Sequence, residues 1–287
     1  MQSSTARIRA VSEFHYQRSY RGPLKGVIFD WAGTTIDYGC LAPAGVFVDV
    51  FRRRDVAIST DEAREPMGAH KRVHIRIVTE MPAVAKRWRE IHGKPCTEED
   101  IEAMYQDFLP RQLECLTKYC DLIPGTLETI AAIRERGLKV GSTTGYTSEI
   151  MQVLAPEAKS RGYEPDSTIC ASDVPAGRPE PWMCFANAQM LRIWPMEACV
   201  KVGDTLSDID EGLNAGMWTV GLVRTGNEMG LSEDELNRLP ADEYCRRRNR
   251  ACERMYRAGA HYVVDGISDV IPILNDIERR LANGEHP

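Results

Sequence analysis

Val27-Ile28-Phe29-Asp30-Trp31-Ala32-Gly33-Thr34-Thr35 is the stretch that decides how this chain folds. Three apolar residues run into an aspartate, and a Gly-Thr-Thr turn follows. That is the pattern of a buried strand closed by a tight turn. Asp30 then stands where the strand leaves its sheet, and in open α/β sheets ligands bind at that carboxyl edge. A plainer alternative is an aspartate that only caps its own turn. The choice rests on what the rest of the chain brings to the same edge.

Working outward, the strand at 25–31 is followed by a long stretch without strands. Pro43 opens a helix carrying Val46, Phe47, Val50 and Phe51 at helical spacing. Ser59-Thr60-Asp61-Glu62 reads as a capping box. A third helical run begins near Ala69, is interrupted at Met81-Pro82 and resumes through Trp88. Thr97-Glu98-Glu99-Asp100 caps a longer helix, on which Cys115 and Cys120 are both expected. From Pro124-Gly125 strands return, at 138–144, 168–171, 199–202, 218–223 and 261–264, with helices between them and a charged helical region over 231–258. Strand alternating with helix predicts a Rossmann-like parallel sheet covered on both faces. The helical stretch predicts a second domain on two linkers, near Gly39 and near Ile123-Pro124-Gly125. The expected division is a tail over 1–24, an α/β core of 25–39 with 122–287, and a helical insert over 40–121.

Composition narrows the function. With 43% hydrophobic and 27% charged residues in a chain of 287, ordinary globular folding is expected. A net charge of −6 disfavours nucleic acid as a partner, which calls for a basic footprint. Arg246, Arg247, Arg248 and Arg250 lie among Glu243 and Glu253 and read as a solvated helix face. No apolar run reaches bilayer length, so no membrane partner is expected. No signal-peptide core opens the chain. The tail is basic enough to be compatible with organelle targeting, but a disordered extension is the simpler reading. Nine scattered cysteines without a C-x-x-C pair fit reduced thiols in the cytoplasm.

Four strand ends carry polar groups: Asp30, Thr144, the loop with Arg178, and Asp204 with Asp208. In a parallel sheet they share one edge. Asp30 and Asp204 offer the hard oxygens that Mg²⁺ takes. Thr144 offers a hydroxyl and neighbouring N–H groups to phosphoryl oxygens, and Arg178 a fixed cation. Asp30 is then placed to attack phosphorus. Singly, each has a bland reading as a turn aspartate, a strand-end threonine or a surface arginine.

These pieces, Asp30-Trp31-Ala32-Gly33-Thr34-Thr35, Ser142-Thr143-Thr144-Gly145, Arg178 in place of the more usual lysine, and Gly203-Asp204-x-x-x-Asp208, resemble the haloacid dehalogenase-like superfamily. The helical block resembles that superfamily's cap domain. The resemblance implies Mg²⁺ held by Asp30, the backbone carbonyl of Ala32, Asp204 and, through water, Asp208, with Thr144, Gly145 and Arg178 on the phosphoryl group. Phosphatases of the superfamily carry a second aspartate where this chain has Ala32, which cannot protonate a leaving oxygen. A carbon leaving group needs no such acid, but it needs an electron sink, and a protonated Schiff base is one.

That directs attention to Lys71, near a helix start and beside Arg72. A helix dipole and a neighbouring cation both disfavour the ammonium form. On the residues alone, a solvated lysine is the competing reading. Met67-Gly68-x-x-Lys71, Gly141-Ser142-Thr143-Thr144-Gly145-Tyr146-Thr147 and Asp173-Val174-Pro175-Ala176-Gly177-Arg178-Pro179 look like the phosphonoacetaldehyde hydrolase family. The resemblance implies Asp30 as nucleophile, Lys71 as the Schiff-base lysine, supporting roles for Cys40, Met67, His74 and Tyr146, a small phosphonate substrate, and a homodimer through the caps, for which the apolar helices at 41–56 are candidates. A phosphate-ester hydrolase of the same fold is the alternative, and a non-catalytic relative is a third. His70 and His74 at i, i+4 lack the glutamate of a zinc motif.

Overall fold

The computed structural model describes residues 19–116 and 118–287. The expected tail reaches back to residue 1, and its first 18 residues lie outside the described residues. Six strands, β1 (Gly26–Phe29), β2 (Lys139–Thr144), β3 (Ser167–Cys170), β4 (Cys199–Gly203), β5 (Trp218–Leu222) and β6 (Tyr262–Val264), form one parallel sheet. The order is β3-β2-β1-β4-β5-β6. β1 is central, so its carboxyl end is flanked by those of β2 and β4. Asp30 N donates to Val202 O at 2.9 Å, which locks the start of the Asp30 turn to the neighbouring strand.

Between β1 and the rest of the sheet stands a block of five helices: α1 (Leu41–Arg52), α2 (Thr60–Arg64), α3 (Lys71–Glu80), α4 (Pro82–His92) and α5 (Glu98–Leu116). The Ser59–Glu62 capping box forms at α2, and Thr97 and Asp100 cap α5 reciprocally. The rest of the chain supplies α6 (Thr126–Glu135), α7 (Ser148–Ser160), α8 (Trp182–Leu191), α9 (Leu206–Asn214), α10 (Glu233–Asn237), α11 (Ala241–Arg257) and α12 (Val270–Ala282).

Strand pleating explains the layers. Val27 and Phe29 point into the large core shared with Ile130, Ile133, Leu274 and Ile277 of α6 and α12. Ile28 points the other way, onto Cys184, Ala188 and Leu191 of α8. A strand apolar on both sides is thus what a sheet covered on both faces requires. The two linkers of the helical block run side by side. Ile36 bridges Leu122 in antiparallel fashion, and Ile123 N donates to Thr35 O at 2.9 Å.

Three expectations need correcting. α5 ends at Leu116, so Cys120 lies beyond the helix that carries Cys115. The charged region 231–258 is two helices, broken where Pro240 cannot continue the first. The apolar residues of α1 do not form a free face: Val46, Phe47, Val50 and Phe51 are all buried within the chain. Phe47 packs on Phe108 of α5 at 4.5 Å between ring centroids. The large apolar side chains left exposed include Trp182, Phe185, Met190 and Trp194, on and just after α8.

Candidate active site

β1, β2 and β4 deliver Asp30, Thr144 and Asp204 to one edge, as expected of a parallel sheet, and α3 brings Lys71 down from the helical block. A small cavity separates them. From the sheet side Asp30, Ala32, Thr144, Gly145, Tyr146, Arg178 and Thr205 line it; from the helical side come Cys40, Met67, Gly68 and Lys71. The two sides touch closely. A Cβ on Gly145 would lie 2.5 Å from Gly68 O, and one on Gly68, whose φ is +91°, would lie 2.5 Å from Thr205 Oγ1. Glycine at both positions is what allows this approach.

On the sheet side charge is dense. Arg178, 4% exposed, pairs with Asp30 Oδ1 at 2.6 Å, Asp208 Oδ1 at 3.0 Å and, through Nε, Glu211 Oε2 at 2.8 Å. It also donates to Thr143 O and Oγ1. Lys201 Nζ sits 2.5 Å from Asp208 Oδ1 and 3.5 Å from Glu211 Oε2. Asp208 Oδ2 accepts from Thr205. Burial alone would raise the Asp208 carboxyl, but Arg178 and Lys201 outweigh it and hold it below its usual range. Asp30 is pushed up to about 6, by burial first and by the nearby Asp208, with Arg178 opposing.

Asp204 differs. It is fully buried, and its donors are neutral: Thr34 Oγ1 at 3.1 Å and Asn227 N at 2.8 Å. Among the described residues no ion pair reaches it. Burial and the charges of Asp30 and Asp208 drive its carboxyl well up. Asp30, Asp204 and Asp208 bring carboxylate oxygens within 4.8 Å of one another. A buried carboxylate without a cation beside two others is a donor set that fits a hard divalent ion. Gly33, at φ +84°, leaves the space: a Cβ there would fall 2.1 Å from Asp204 Oδ2.

On the helical side charge is sparse. Lys71 is the first residue of α3 and only 3% exposed. Its Nζ lies 4.8 Å from the Tyr146 ring centroid and 5.8 Å from that of Phe47. The amine is lowered to about 8, by burial above all, with Arg178 adding to the fall and Cys40, Asp30 and Asp37 opposing it. Arg72, expected to contribute, turns away to Glu98 and Glu102 at 2.9 and 2.8 Å. Burial rather than an adjacent cation is therefore the cause. Cys40 lines the cavity as a thiol raised by burial. His74 does not reach the cavity wall. It stacks on Phe47 at 3.6 Å, and its Nε2 is 2.8 Å from Ala63 O. His70 Nδ1 accepts from Arg72 N and caps α3, so the two histidines serve separate structural ends. Thr144 Oγ1 accepts from Tyr146 N at 3.1 Å, which leaves the hydroxyl free to donate.

Sequence reasoning missed Lys201, Glu211 and Asp37. Lys201 stands inside the apolar run Cys199-Val200-Lys201-Val202, and a cation there signals a buried partner. Glu211 follows Asp208 by three residues on α9 and so shares its face. Asp37 accepts from Leu41 N and Ala42 N, both at 3.0 Å, and burial pushes its carboxyl up to about 7. An aspartate just before an apolar helical run is a start signal.

A family model described as a haloacid dehalogenase-like hydrolase matches residues 24–216. The chain is 50% identical over 270 residues to a phosphonoacetaldehyde hydrolase of Nitratidesulfovibrio vulgaris, spanning 94% of this chain and 96% of that one. It is 48% identical over 274 residues to a phosphonoacetaldehyde hydrolase-like protein of Syntrophobacter fumaroxidans, covering 96% and 99% of the two chains. The crystal structure of a phosphonoacetaldehyde hydrolase-like protein from Oleispira antarctica superposes with a TM-score of 0.92 at 41% identity, over 96% of this chain and all of that one.

Proposed function

The chain belongs to the haloacid dehalogenase-like hydrolases and, within them, to the phosphonoacetaldehyde hydrolases, and from that membership we propose that it cleaves the P–C bond of phosphonoacetaldehyde to acetaldehyde and phosphate. One observation carries the reading. A buried lysine amine, without an ion pair among the described residues, and a strand-end aspartate meet across one small cavity, with Ala32 where an ester hydrolase needs an acid.

Lys71 supplies the electron sink. Its free amine adds to the aldehyde carbon, and loss of water leaves an iminium. A carboxylate oxygen of Asp30 attacks phosphorus, and the P–C bonding pair moves into the iminium to give an enamine. Asp30 then carries the phosphoryl group. Protonation of the enamine carbon regenerates an iminium, and water releases acetaldehyde and Lys71. A second water splits the aspartyl-phosphate to phosphate and Asp30. No leaving oxygen is protonated, so Ala32 is no handicap. Arg178 and Thr144 face the transferred group, and Arg178 offsets its charge. Mg²⁺ bound at the carboxylates supplies further positive charge to the phosphoryl oxygens; Asp30, the Ala32 carbonyl and Asp204 would hold it directly. Asp208 would act through water, since two cations, Arg178 and Lys201, already hold its Oδ1 and Thr205 its Oδ2, whereas the donors to Asp204 are neutral.

Residues 40–121 act in this reading as a cap on the core of 25–39 and 122–287. Lys71 and Asp30 sit on different sides, so docking of the cap assembles the site. Met67, Cys40 and Tyr146 line it, and His74 braces Phe47 beside the amine. A homodimer and a cytoplasmic location belong to the same reading. The dimer contact is to be sought outside the apolar stripe of α1, with sedimentation at micromolar concentration as the check. Borohydride trapping tests the chemistry: with Mg²⁺ and phosphonoacetaldehyde, the reduced adduct is expected on Lys71. Folded protein that gives no adduct yet turns over phosphate esters would replace this reading with an ester hydrolase.

A further inference from the structure

Arg64 of α2 is 8% exposed and reaches out of the helical block. Its Nη1 donates to Gly39 O at 2.9 Å and Asn227 Oδ1 at 3.1 Å, and its Nη2 to Gly230 O at 3.2 Å. Asn227 answers by donating from Nδ2 to Arg64 O at 3.2 Å. The backbone N–H of the same Asn227 is the donor 2.8 Å from Asp204 Oδ2. The loop wraps this carboxylate tightly, since a Cβ on Gly226 would fall 2.3 Å from Asp204 Cβ. Its start is also tied to the linker, Gly39 N donating to Thr225 O at 2.7 Å. One short loop, 225–230, is therefore held by the helical block on one side and holds Asp204 on the other.

We propose that Arg64 and Asn227 form a positioning pair that fixes Asp204 in its metal-binding orientation only while the helical block is docked, so that metal binding and docking strengthen one another. This rests on the reading of Asp204 as a metal ligand. The choice of partners suits a contact that must break. Among the described residues no carboxylate pairs with Arg64; its acceptors are carbonyl oxygens. When the block lifts away, water can satisfy both the guanidinium and the carbonyls, and no buried counter-charge is stranded. Once Arg64 has gone, Asn227 loses the anchor for its side chain, and its N–H loses its register on Asp204. Linkage then demands the converse: an ion that fixes Asp204 must favour the docked block.

Hydrogen exchange read by mass spectrometry tests this on the whole chain, with Mg²⁺ alone as the probe. In the wild type, Mg²⁺ is expected to slow exchange both at 204–208 and in α2. In Asn227→Ala, which keeps the backbone N–H, Mg²⁺ should still slow 204–208 but no longer α2. Calorimetric Mg²⁺ affinity should fall roughly three- to tenfold, the worth of one hydrogen bond. Arg64→Lys keeps the charge but cannot span Asn227 and Gly230 together, so it should shift both readouts the same way and carries the test if Asn227→Ala does not fold. Mg²⁺ that slows 204–208 but leaves α2 unchanged in the wild type, or that slows α2 equally in the variants, overturns the coupling and leaves the metal reading standing. No effect of Mg²⁺ anywhere in the wild type removes the metal reading and the coupling with it.

Discussion

Lys201 on the sheet side of the site and Lys71 on the helical side share one side chain and nearly one depth of burial, 0% and 3% exposed, yet their amines are pushed in opposite directions. Burial pulls on both. At Lys201 the carboxylates of Asp208 and Glu211 outweigh it, and the amine is raised above its usual value. At Lys71 burial prevails, with the Tyr146 and Phe47 rings 4.8 and 5.8 Å from the amine, and the amine is lowered to about 8. Depth therefore does not decide what a buried lysine does; the charge of its neighbours does. The sheet side uses its cations to hold carboxylates in place, while on the helical side, among the described residues, one buried amine has no carboxylate ion pair.

The largest effect should come from removing that amine while keeping the charge. Lys71→Arg retains a cation but cannot form an imine. We expect borohydride trapping to vanish and P–C cleavage to fall by a thousandfold or more, on the order of the covalent step's contribution. Residual turnover within tenfold of wild type would sink the covalent role of Lys71.

The next effect belongs to the other wall. Glu211→Gln removes a charge that Arg178 and Lys201 share and to which Thr143 donates. Breaking one member of a buried ion network costs about 3 kcal/mol or more, so a urea melt should lose roughly that much. Loss of less than about 1 kcal/mol would mean that Asp30 and Asp208 suffice to hold Arg178.

These two walls also differ in how far the sequence reveals them. β1 was legible because a parallel strand buried on both faces is a continuous apolar run, the other strands because they alternate with helices, and the strand-end aspartates followed from the sheet's direction. Lys71 was not legible from its surroundings in the chain. Neighbouring residues pointed to an exposed lysine, and Arg72 to an electrostatic cause, whereas the cause is burial among residues distant in sequence, the Phe47 and Tyr146 rings among them. Only resemblance singled it out. Lys201 and Glu211 left a trace, a cation inside an apolar strand and an acid in phase with Asp208, but pairing across the sheet edge depends on strand order. Arg64 left none, because its acceptors are backbone carbonyls and the side-chain amide of the sequence-distant Asn227, neither of which carries a sequence signal.

A smaller and sharper test is pH. An amine titrating near 8 is about one-tenth free at pH 7 and half free at pH 8. Trapping of acetaldehyde should therefore rise about tenfold per pH unit below 7 and about fivefold from pH 7 to 8, and level off by about pH 9. A rise that continues toward pH 10 would place Lys71 in an ordinary solvated environment and remove its contrast with a surface lysine.

The smallest effect follows from the same burial, read as stability. Lys71 titrates at about 8 in the folded chain against an ordinary 10.5, so between those values the unfolded chain holds a proton that the folded chain has released. Stability from this group therefore rises with pH across that window, and the full cost of burying the ammonium is present below about pH 8. Lys71→Met keeps the length and removes the charge. It should raise the thermal midpoint at pH 7, by at most about 3 kcal/mol or several degrees, and the gain should shrink toward pH 10. An equal gain at both pH values would assign it to packing against Phe47 and Tyr146 rather than to charge. A gain that fades with pH would mean that the fold carries a standing cost at this one position, of the kind that Lys201 avoids by having Asp208 beside it.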